Sequence, residues 1–259
     1  MSLHELKSVI WRWALLLLVA GLALELFFAL RLTAMLWLDP QSTTFQRSEA
    51  WRLSSLSKAS DTKSRWVWRQ QWVPYSNIAD SLKRAVIASE DSEFANHDGV
   101  DWDAMENAWQ SNAKAQAALE RQKATAAKGV AQGKRGPKII GGSTISQQLA
   151  KNLFLSGERT LLRKAQELVL TLMLEKLLGK ERILEIYLNS VEWGSGVFGA
   201  EAAAQRYFGK SASQLSNLEA ARLAVMLPRP KYFEKLPNSD YVAHRAEVIV
   251  ARMPQVDLP

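Results

Sequence analysis

The first feature of the hydrophobic pattern is a long apolar run near the N-terminus. Residues Trp13 to Leu30 are almost entirely apolar, and Glu25 is the single charged residue among them. A helix of this length spans roughly 27 Å at about 1.5 Å per residue, close to the bilayer hydrocarbon thickness of about 30 Å. A cleaved signal peptide has a shorter apolar core that ends at small residues, whereas this run ends in phenylalanine, leucine and Arg31. The pattern therefore predicts an uncleaved transmembrane anchor over residues 13–32, preceded by a cytoplasmic segment, residues 1–12.

The charges around this anchor give its expected orientation. Lys7 and Arg12 precede it, and positive charge favours the cytoplasmic side, so the rest of the chain is expected outside the cytoplasmic membrane. Glu25 permits two interpretations. It is either a functional group, as ionisable residues inside membranes are by default, or it lies near the outer headgroups.

The pattern changes after the anchor. Residues 33–64 are rich in Ser, Thr, Gln and Arg with few apolar periods, which predicts an irregular stalk or membrane-proximal lead-in. Residues 65–259 then form the predicted main domain. It opens with RWVWRQQWVP at Arg65 to Pro74, whose alternation favours a short strand or a surface-seeking aromatic strip, and it turns helical from Ile78.

Helical periodicity dominates the remainder of the main domain. The stretch from Lys114 to Lys138 is biased toward Ala, Lys, Gln and Gly, so its first half is expected to be helical and its second half to be a basic loop. Further helices are predicted over residues 161–178, 183–189, 197–207, 218–226 and 241–252. With no repeat and little strand, the fold class is expected to be mainly α.

Composition and charge limit the kinds of site and partner that the chain can have. The 259 residues are 47% hydrophobic, enough to bury a core, and the absence of cysteine excludes disulfides, thiolate metal sites and a cysteine nucleophile. The formal charge of +7 favours partners with negative charge, such as nucleic acid, anionic lipid headgroups or phosphorylated substrates. No recognisable nucleic-acid motif accompanies this charge, so nucleic acid is not an expected partner.

Three polar constellations carry candidate chemistry. In the first, ASEDSEFANHDG, the carboxylates of Glu90, Asp91 and Glu93 cluster beside His97. Carboxylates in such a cluster raise one another's pKa, and one of them can then accept a proton from a sugar hydroxyl. A solvated acidic loop has the same composition, but the apolar lead-in Ala85 to Ala88 places Glu90 at the end of a buried helix.

The second constellation is GGSTISQQLAKN, which predicts a turn into a helix N-terminus and therefore a natural anion site. Gln148, Lys151 and Asn152 share one face of that helix. A well-capped helix with a polar outer surface explains the same pattern, so this stretch by itself leaves both interpretations open.

The third constellation follows at residues 159–167. Arg159, Arg163 and Lys164 supply positive charge, and Arg163 lies four residues before Glu167, a spacing that also fits a plain surface ion pair. An anionic leaving group would need such cations.

Together these stretches resemble one known family. In this order, EDSEFANHDG, GGSTISQQLAKN, RKAQELVLTLMLE and KERILEIYLN resemble the motifs of the family 51 glycosyltransferases, the peptidoglycan glycosyltransferases, from about Val86 to Pro230. The resemblance implies a lysozyme-like, two-lobed glycosyltransferase domain. It would polymerise lipid II into β-1,4-linked glycan strands, with inversion and release of undecaprenyl pyrophosphate. With one anchor and no transpeptidase domain, a monofunctional biosynthetic member is expected, in the cytoplasmic (inner) membrane of a bacterium.

The resemblance also implies roles for individual residues. Glu90 corresponds to the general base that deprotonates the acceptor 4-hydroxyl. Glu167 corresponds to a second essential glutamate, which assists at the pyrophosphate through neighbouring basic groups or through a divalent metal such as Mg²⁺ or Mn²⁺. The sequence requires no cofactor. The implied substrate-binding residues are Lys151, Arg159, Arg163, Lys164, Ser143, Thr144, Gln147, Gln148, Asn152, Asp91, Phe94 and His97.

The expected partners are lipid II, the growing lipid-linked strand, the membrane and other cell-wall synthesis or division proteins. One departure from the family is the length and basicity of Lys114 to Lys138, a segment that borders the cleft in the family.

Two alternatives stay open: a lysozyme-like enzyme that cleaves glycan, and a membrane-tethered scaffold without catalysis. A cleaving enzyme has little need for cations at a leaving group.

Overall fold

The computed structural model describes residues 3–59, 67–126, 142–158 and 160–259. Within these ranges the chain is mainly helical, as its pattern predicts, and it contains one small sheet. The α-helices are α1 (Leu3–Ala34), α2 (Thr44–Ala59), α3 (Asp80–Glu90), α4 (Trp102–Ala126), α5 (Ile145–Phe154), α6 (Leu161–Leu177), α7 (Lys180–Ser190), α8 (Ala200–Phe208), α9 (Asn217–Met226), α10 (Pro230–Phe233) and α11 (Asp240–Arg252). The strands are β1 (Arg69–Gln70), β2 (Glu192–Gly194) and β3 (Val197–Phe198).

The N-terminal helix α1 packs against the main domain through its C-terminal half. Among the described residues it is the one helix long and apolar enough to cross a membrane, over His4–Ala34, which fits the predicted single-pass anchor. The Phe28 ring contacts the Phe154 ring of α5, with 5.2 Å between their centroids. Glu25 accepts a hydrogen bond of 2.9 Å from the side-chain amide of Gln166 in α6. The anchor is therefore docked on α5 and α6.

The lead-in after the anchor differs from the expectation. The prediction of an irregular stalk is wrong for Thr44–Ala59, which forms α2. The Thr43 backbone N–H donates to Oε1 of Gln46, and the Thr43 hydroxyl accepts from the Gln46 backbone N–H, which is the reciprocal pattern that starts a helix. Nε2 of Gln46 also donates to the carbonyl of Ser190 at 3.3 Å. This capping and the contact with the main domain hold as a helix a segment whose composition resembles a loop.

The core of the main domain lies between α3, α9 and α11, with α5, α6 and α7 packed beside it. Helix α3 buries Leu82, Val86 and Ile87, which recur at the spacing of an amphipathic helix. The fully buried indole of Trp193 donates to the carbonyl of Leu223 in α9 at 3.1 Å. This packing fixes the position of the C-terminal end of α3, where the first polar constellation begins.

The small sheet replaces the start of a predicted helix. Val197 and Phe198 form β3, which pairs in parallel with β1 and antiparallel with β2. Gly199 follows with a φ of +85°, and a Cβ at this position would lie 2.7 Å from the carbonyl oxygen of Asn189. An L side chain is excluded there, so the chain turns at Gly199 and α8 begins at Ala200.

The other predicted elements match the structure more closely. Helices α6, α7, α9 and α11 lie within a few residues of their predicted bounds, and β1 falls inside the predicted strand. The predicted helix in the first half of Lys114 to Lys138 is part of α4, which ends at Ala126. The predicted basic loop lies outside the described residues.

Candidate active site

Glu90 is the last residue of α3, at the end of a buried helix as predicted. Nε2 of Gln148 donates a hydrogen bond of 3.0 Å to its Oε2. Burial is the largest influence on this carboxyl group and raises its pKa, and the charge of Asp91 adds to the effect. The Gln148 hydrogen bond and the charge of Lys151 act in the opposite direction without cancelling it. Glu90 is therefore a carboxylate with increased basicity.

Three predicted site residues lie just after Glu90 and hold the local structure. Oδ2 of Asp91 accepts from the first backbone N–H of α5, at Ile145, and its Oδ1 accepts from Nε2 of His97, each at 2.9 Å. Because Nδ1 of His97 accepts from the Gly99 backbone N–H, the imidazole proton lies on Nε2. Phe94 is fully buried, and its ring lies edge-on to the His97 ring with 6.3 Å between the centroids. The Asp91 and His97 pair joins the loop after α3 to the start of α5.

The predicted helix N-terminus in GGSTISQQLAKN is present as the start of α5. Thr144 and Gln147 form a reciprocal cap, in which each side chain accepts from the backbone N–H of the other. Both residues are buried, and the Thr144 hydroxyl also donates to the carbonyl of Gly99. Their polar groups are therefore engaged in starting α5. The more exposed polar residues of the same stretch are Ser143, Gln148, Lys151 and Asn152.

Gln148 is held from both sides. The Tyr187 hydroxyl of α7 donates to its Oε1 at 3.1 Å, which leaves Nε2 directed at Glu90. Tyr187 is buried and had no predicted role beyond packing. Its hydroxyl among the apolar residues of KERILEIYLN was the available signal, because a buried hydroxyl needs a hydrogen-bond partner.

A cleft of about 520 Å³ runs beside this group. One wall comes from α5, α6 and their connection, and it contributes Ser143, Gln147, Gln148, Lys151, Asn152, Arg163, Lys164 and Glu167. Residues outside α5 and α6 complete the lining, namely Phe45, Val191, Glu192, Leu227, Pro228 and Pro230. Glu90 borders a smaller adjoining hollow that shares Ser143 with the cleft. Most of the predicted substrate-binding residues therefore meet along one wall.

Glu167 lies on α6 with cations on both of its oxygens. Nη1 of Arg163 donates to Oε2 at 2.6 Å and Nζ of Lys164 donates to Oε1 at 2.5 Å. Burial pushes the pKa of Glu167 upward, but the hydrogen bonds and charges of Lys164 and Arg163 outweigh it and leave the pKa below its usual value. The spacing also fitted a surface pair, but the carboxylate is buried, since Glu167 is only 3% exposed, while Lys164 is half exposed.

Lys151 connects the two glutamates electrostatically. Desolvation lowers its pKa most, and the positive charges of Arg163 and Lys164 lower it further, whereas the charges of Glu167 and Glu90 act to raise it. Lys151 therefore lies within electrostatic range of both carboxylates. Arg159, the remaining predicted cation, lies outside the described residues.

The predicted metal alternative at Glu167 can be tested against the donor set. Both carboxylate oxygens of Glu167 already accept hydrogen bonds from cations, and adjacent positive charge disfavours a divalent ion there. The parts of the chain that the structure describes contain no group of three or more histidine, aspartate or glutamate residues suited to holding a metal. These residues fit an anion bound by basic side chains better than a metal held by Glu167.

One residue of the cleft was missed by sequence reasoning. Glu192 of β2 lines the same cleft as Lys151, and burial raises its pKa to about 7. It stands in the otherwise apolar and small-residue stretch SVEWGSGVFG. A lone glutamate in such a stretch was the available signal, because an unpaired buried carboxyl group is unfavourable.

Comparison with known proteins identifies the family of this chain. Residues 58–254 match the family described as Transglycosylase. A protein from Burkholderia thailandensis named "Biosynthetic peptidoglycan transglycosylase" is 50% identical over 240 residues, 93% of this chain and 84% of that protein. Proteins of the same name from Herminiimonas arsenicoxydans (47% identical over 238 residues, 92% of each chain) and Paraburkholderia xenovorans (48% over 241 residues, 93% of this chain and 90% of that protein) are also similar. The family resemblance of the motifs is thereby confirmed, and the chain belongs to the transglycosylase family.

Proposed function

We propose that this protein polymerises lipid-linked disaccharide units, lipid II, into the glycan strands of peptidoglycan. The observation that carries the proposal is the pairing of a basic carboxylate, Glu90, with a wall of cations that includes Lys151, Arg163 and Lys164. The names of the similar proteins support the same substrate class.

In the proposed reaction Glu90 accepts the proton of the acceptor sugar's 4-hydroxyl. The hydroxyl oxygen forms a bond to the anomeric carbon of the donor while the bond from that carbon to the diphosphate oxygen breaks. The electron pair of the broken bond leaves with the diphosphate, and a single displacement converts the α-linked donor into a β-1,4 linkage. A raised pKa suits Glu90 to this step, because a carboxylate with a pKa nearer neutrality accepts the proton more readily.

The leaving diphosphate carries charge that must be stabilised as the bond breaks. Lys151 and the Arg163 and Lys164 pair line the cleft where this charge would develop, and preorganised cations in such a site can lower a barrier by several kcal/mol. Glu167 holds Arg163 and Lys164 in place through its two hydrogen bonds. Arg159 would add a further cation, as the family resemblance implies.

The anchor fits the same proposal. Donor and acceptor both carry a lipid, so a cleft fixed to the anchor through α5 and α6 stays at the membrane surface. We place the catalytic domain on the outer side of the bacterial cytoplasmic membrane, where other cell-wall synthesis or division proteins could act with it. The names of the similar proteins favour polymerisation over a lysozyme-like enzyme that cleaves glycan.

The test uses the full-length protein in detergent micelles with lipid II labelled in its sugar. We expect labelled strands to lengthen while undecaprenyl pyrophosphate is released, and Glu90→Gln to slow strand growth by about 10²- to 10⁴-fold, as expected for the loss of a general base. Glu93→Gln is the matched control, because Glu93 makes the same change three residues away on an exposed side chain. Shortening of preformed glycan without strand growth would favour the cleaving enzyme, and an unchanged rate in Glu90→Gln would overturn the assigned base.

A further inference from the structure

The part of the cleft wall outside α5 and α6 contains one carboxyl group that the reaction above leaves without a role. Glu192 begins β2, its side chain is 6% exposed, and it lines the same cleft as Lys151 and Glu167. Its Oε1 is buried and has no hydrogen-bond partner among the described residues. A buried acceptor without a hydrogen bond is unfavourable, so its presence in a substrate cleft points to a ligand.

The surroundings of Glu192 explain why it lacks a firm partner. Nζ of Lys231 lies 2.8 Å from Oε1 of Glu49 but 3.4 Å from Oε1 of Glu192. Glu49 is also paired with Arg52 at 2.5 Å. Glu49, on α2, therefore takes both nearby cations, and these partners lower its pKa despite its burial.

The ionisable groups around Glu192 leave its carboxyl group free to change protonation near neutral pH. Burial raises its pKa to about 7, and the charge of Glu49 adds to this, while Lys231 and Arg52 act against it. Tyr207 of α8 also interacts with Glu192, but burial raises the pKa of Tyr207 to about 12. Glu234, after α10, also acts on Tyr207, and its carboxylate accepts a hydrogen bond from the Ser195 backbone N–H.

The rest of this wall has the composition of a sugar site. Phe45, Leu227, Pro228 and Pro230 give it apolar surfaces beside the single carboxyl group. A sugar ring has C–H faces that pack on apolar side chains and a polar edge that needs hydrogen bonds, so mostly apolar walls with few polar groups suit it. The cations for a diphosphate line the same cleft, so a sugar ring attached to that diphosphate would lie in this cleft as well.

We propose that Glu192 positions the donor sugar, its carboxyl group hydrogen-bonding a hydroxyl or acetamido group of the N-acetylated ring that bears the diphosphate. This inference rests on the proposed function. The neutral carboxyl group is the binding form, because the diphosphate brings negative charge into the same cleft and disfavours a second anion nearby. Substrate binding should therefore weaken as the pH rises through about 7 and Glu192 ionises.

The first experiment measures apparent KM and kcat for lipid II polymerisation from about pH 6 to about pH 8.5. For the parent we expect the KM to rise across this range while the KM of Glu192→Gln stays flat, so that Glu192→Gln has the lower KM at the upper end. Glu192→Ala should raise the KM about tenfold at the lower end, as expected for one lost hydrogen bond, with kcat changed by less than about twofold. An unchanged KM in Glu192→Ala, or the same pH dependence in Glu192→Gln and the parent, would overturn the inference.

Two neighbouring substitutions separate substrate positioning from a structural role. Lys231→Met removes a positive charge, favours the neutral form of Glu192 and should move the rise in KM to higher pH. Glu49→Gln removes a negative charge and should move it to lower pH. If Glu192 acted only by holding α2 through Lys231, both substitutions would loosen that contact and shift KM and melting temperature in the same direction. If the parent polymerises lipid II and the Glu192 variants have unchanged kinetics, this inference alone is contradicted. If the parent itself does not polymerise lipid II, the proposed function is contradicted.

Discussion

The end of α3 and the first turns of α6 each place a glutamate beside the substrate cleft, yet the two carboxyl groups have opposite properties. Glu90 receives one hydrogen bond from the neutral amide of Gln148, and its pKa is raised. Glu167 is buried as well, but Arg163 and Lys164 bind both of its oxygens and its pKa is lowered. Burial raises the pKa of both carboxyl groups, so the partners decide which becomes a base and which remains an anion that organises cations.

The comparison predicts that the second glutamate matters for rate although it takes no proton. Glu167→Gln should slow polymerisation by about 10²- to 10³-fold, because Arg163 and Lys164 lose the anion that orients them toward the diphosphate. Initial rates of strand growth at saturating lipid II measure this effect. Glu247→Gln, the same change on an exposed side chain of α11, is the control. A loss no larger than that of the control would show that the cations need no such support.

A smaller effect should appear in the pH dependence. Glu90 must be ionised to act as a base, so kcat/KM should fall as the pH decreases through its raised pKa. Gln148→Met removes the hydrogen bond that favours the ionised form, and the fall should then begin at higher pH. The profile of kcat/KM against pH tests this.

The matched control for this shift is Gln110→Met on the exposed face of α4, which should leave the profile in place. An unmoved acid limb in Gln148→Met would mean that Glu90 is not the group whose ionisation the profile reports.

The smallest effects should be on stability, with opposite signs at the two positions. The folded state raises the pKa of Glu90, so ionisation of Glu90 above its unfolded pKa reduces stability, and Glu90→Gln should raise the melting temperature at about pH 8 but not at about pH 4. The folded state lowers the pKa of Glu167, so its contribution is present above the unfolded pKa and is lost as the pH falls through the folded pKa. Glu167→Gln should therefore lower the melting temperature at about pH 8. The melting temperatures of the two variants and the parent are compared by thermal unfolding in one detergent and at one scan rate. Shifts of the same sign in both variants at about pH 8 would refute the contrast.

Local signals in the sequence were sufficient for several parts of the molecule. The apolar run predicted the anchor, the glycines followed by Ser and Thr predicted the start of α5, and the apolar residues before Glu90 placed it at the end of a buried helix. The irregular lead-in was the main error. The Thr43 and Gln46 pair carried a capping signal that the polar composition of the segment outweighed.

Helix starts, amphipathic faces and the Arg163–Glu167 spacing could be read from the sequence, because they depend on helix geometry and on side chains within one or two turns. Contacts between residues far apart in sequence came only from the folded structure, such as Gln148 with Glu90 and Lys231 with Glu49 and Glu192. The folded structure also decided the direction of each pKa shift, because burial and the distance between charges follow from packing and leave no periodic trace along the chain.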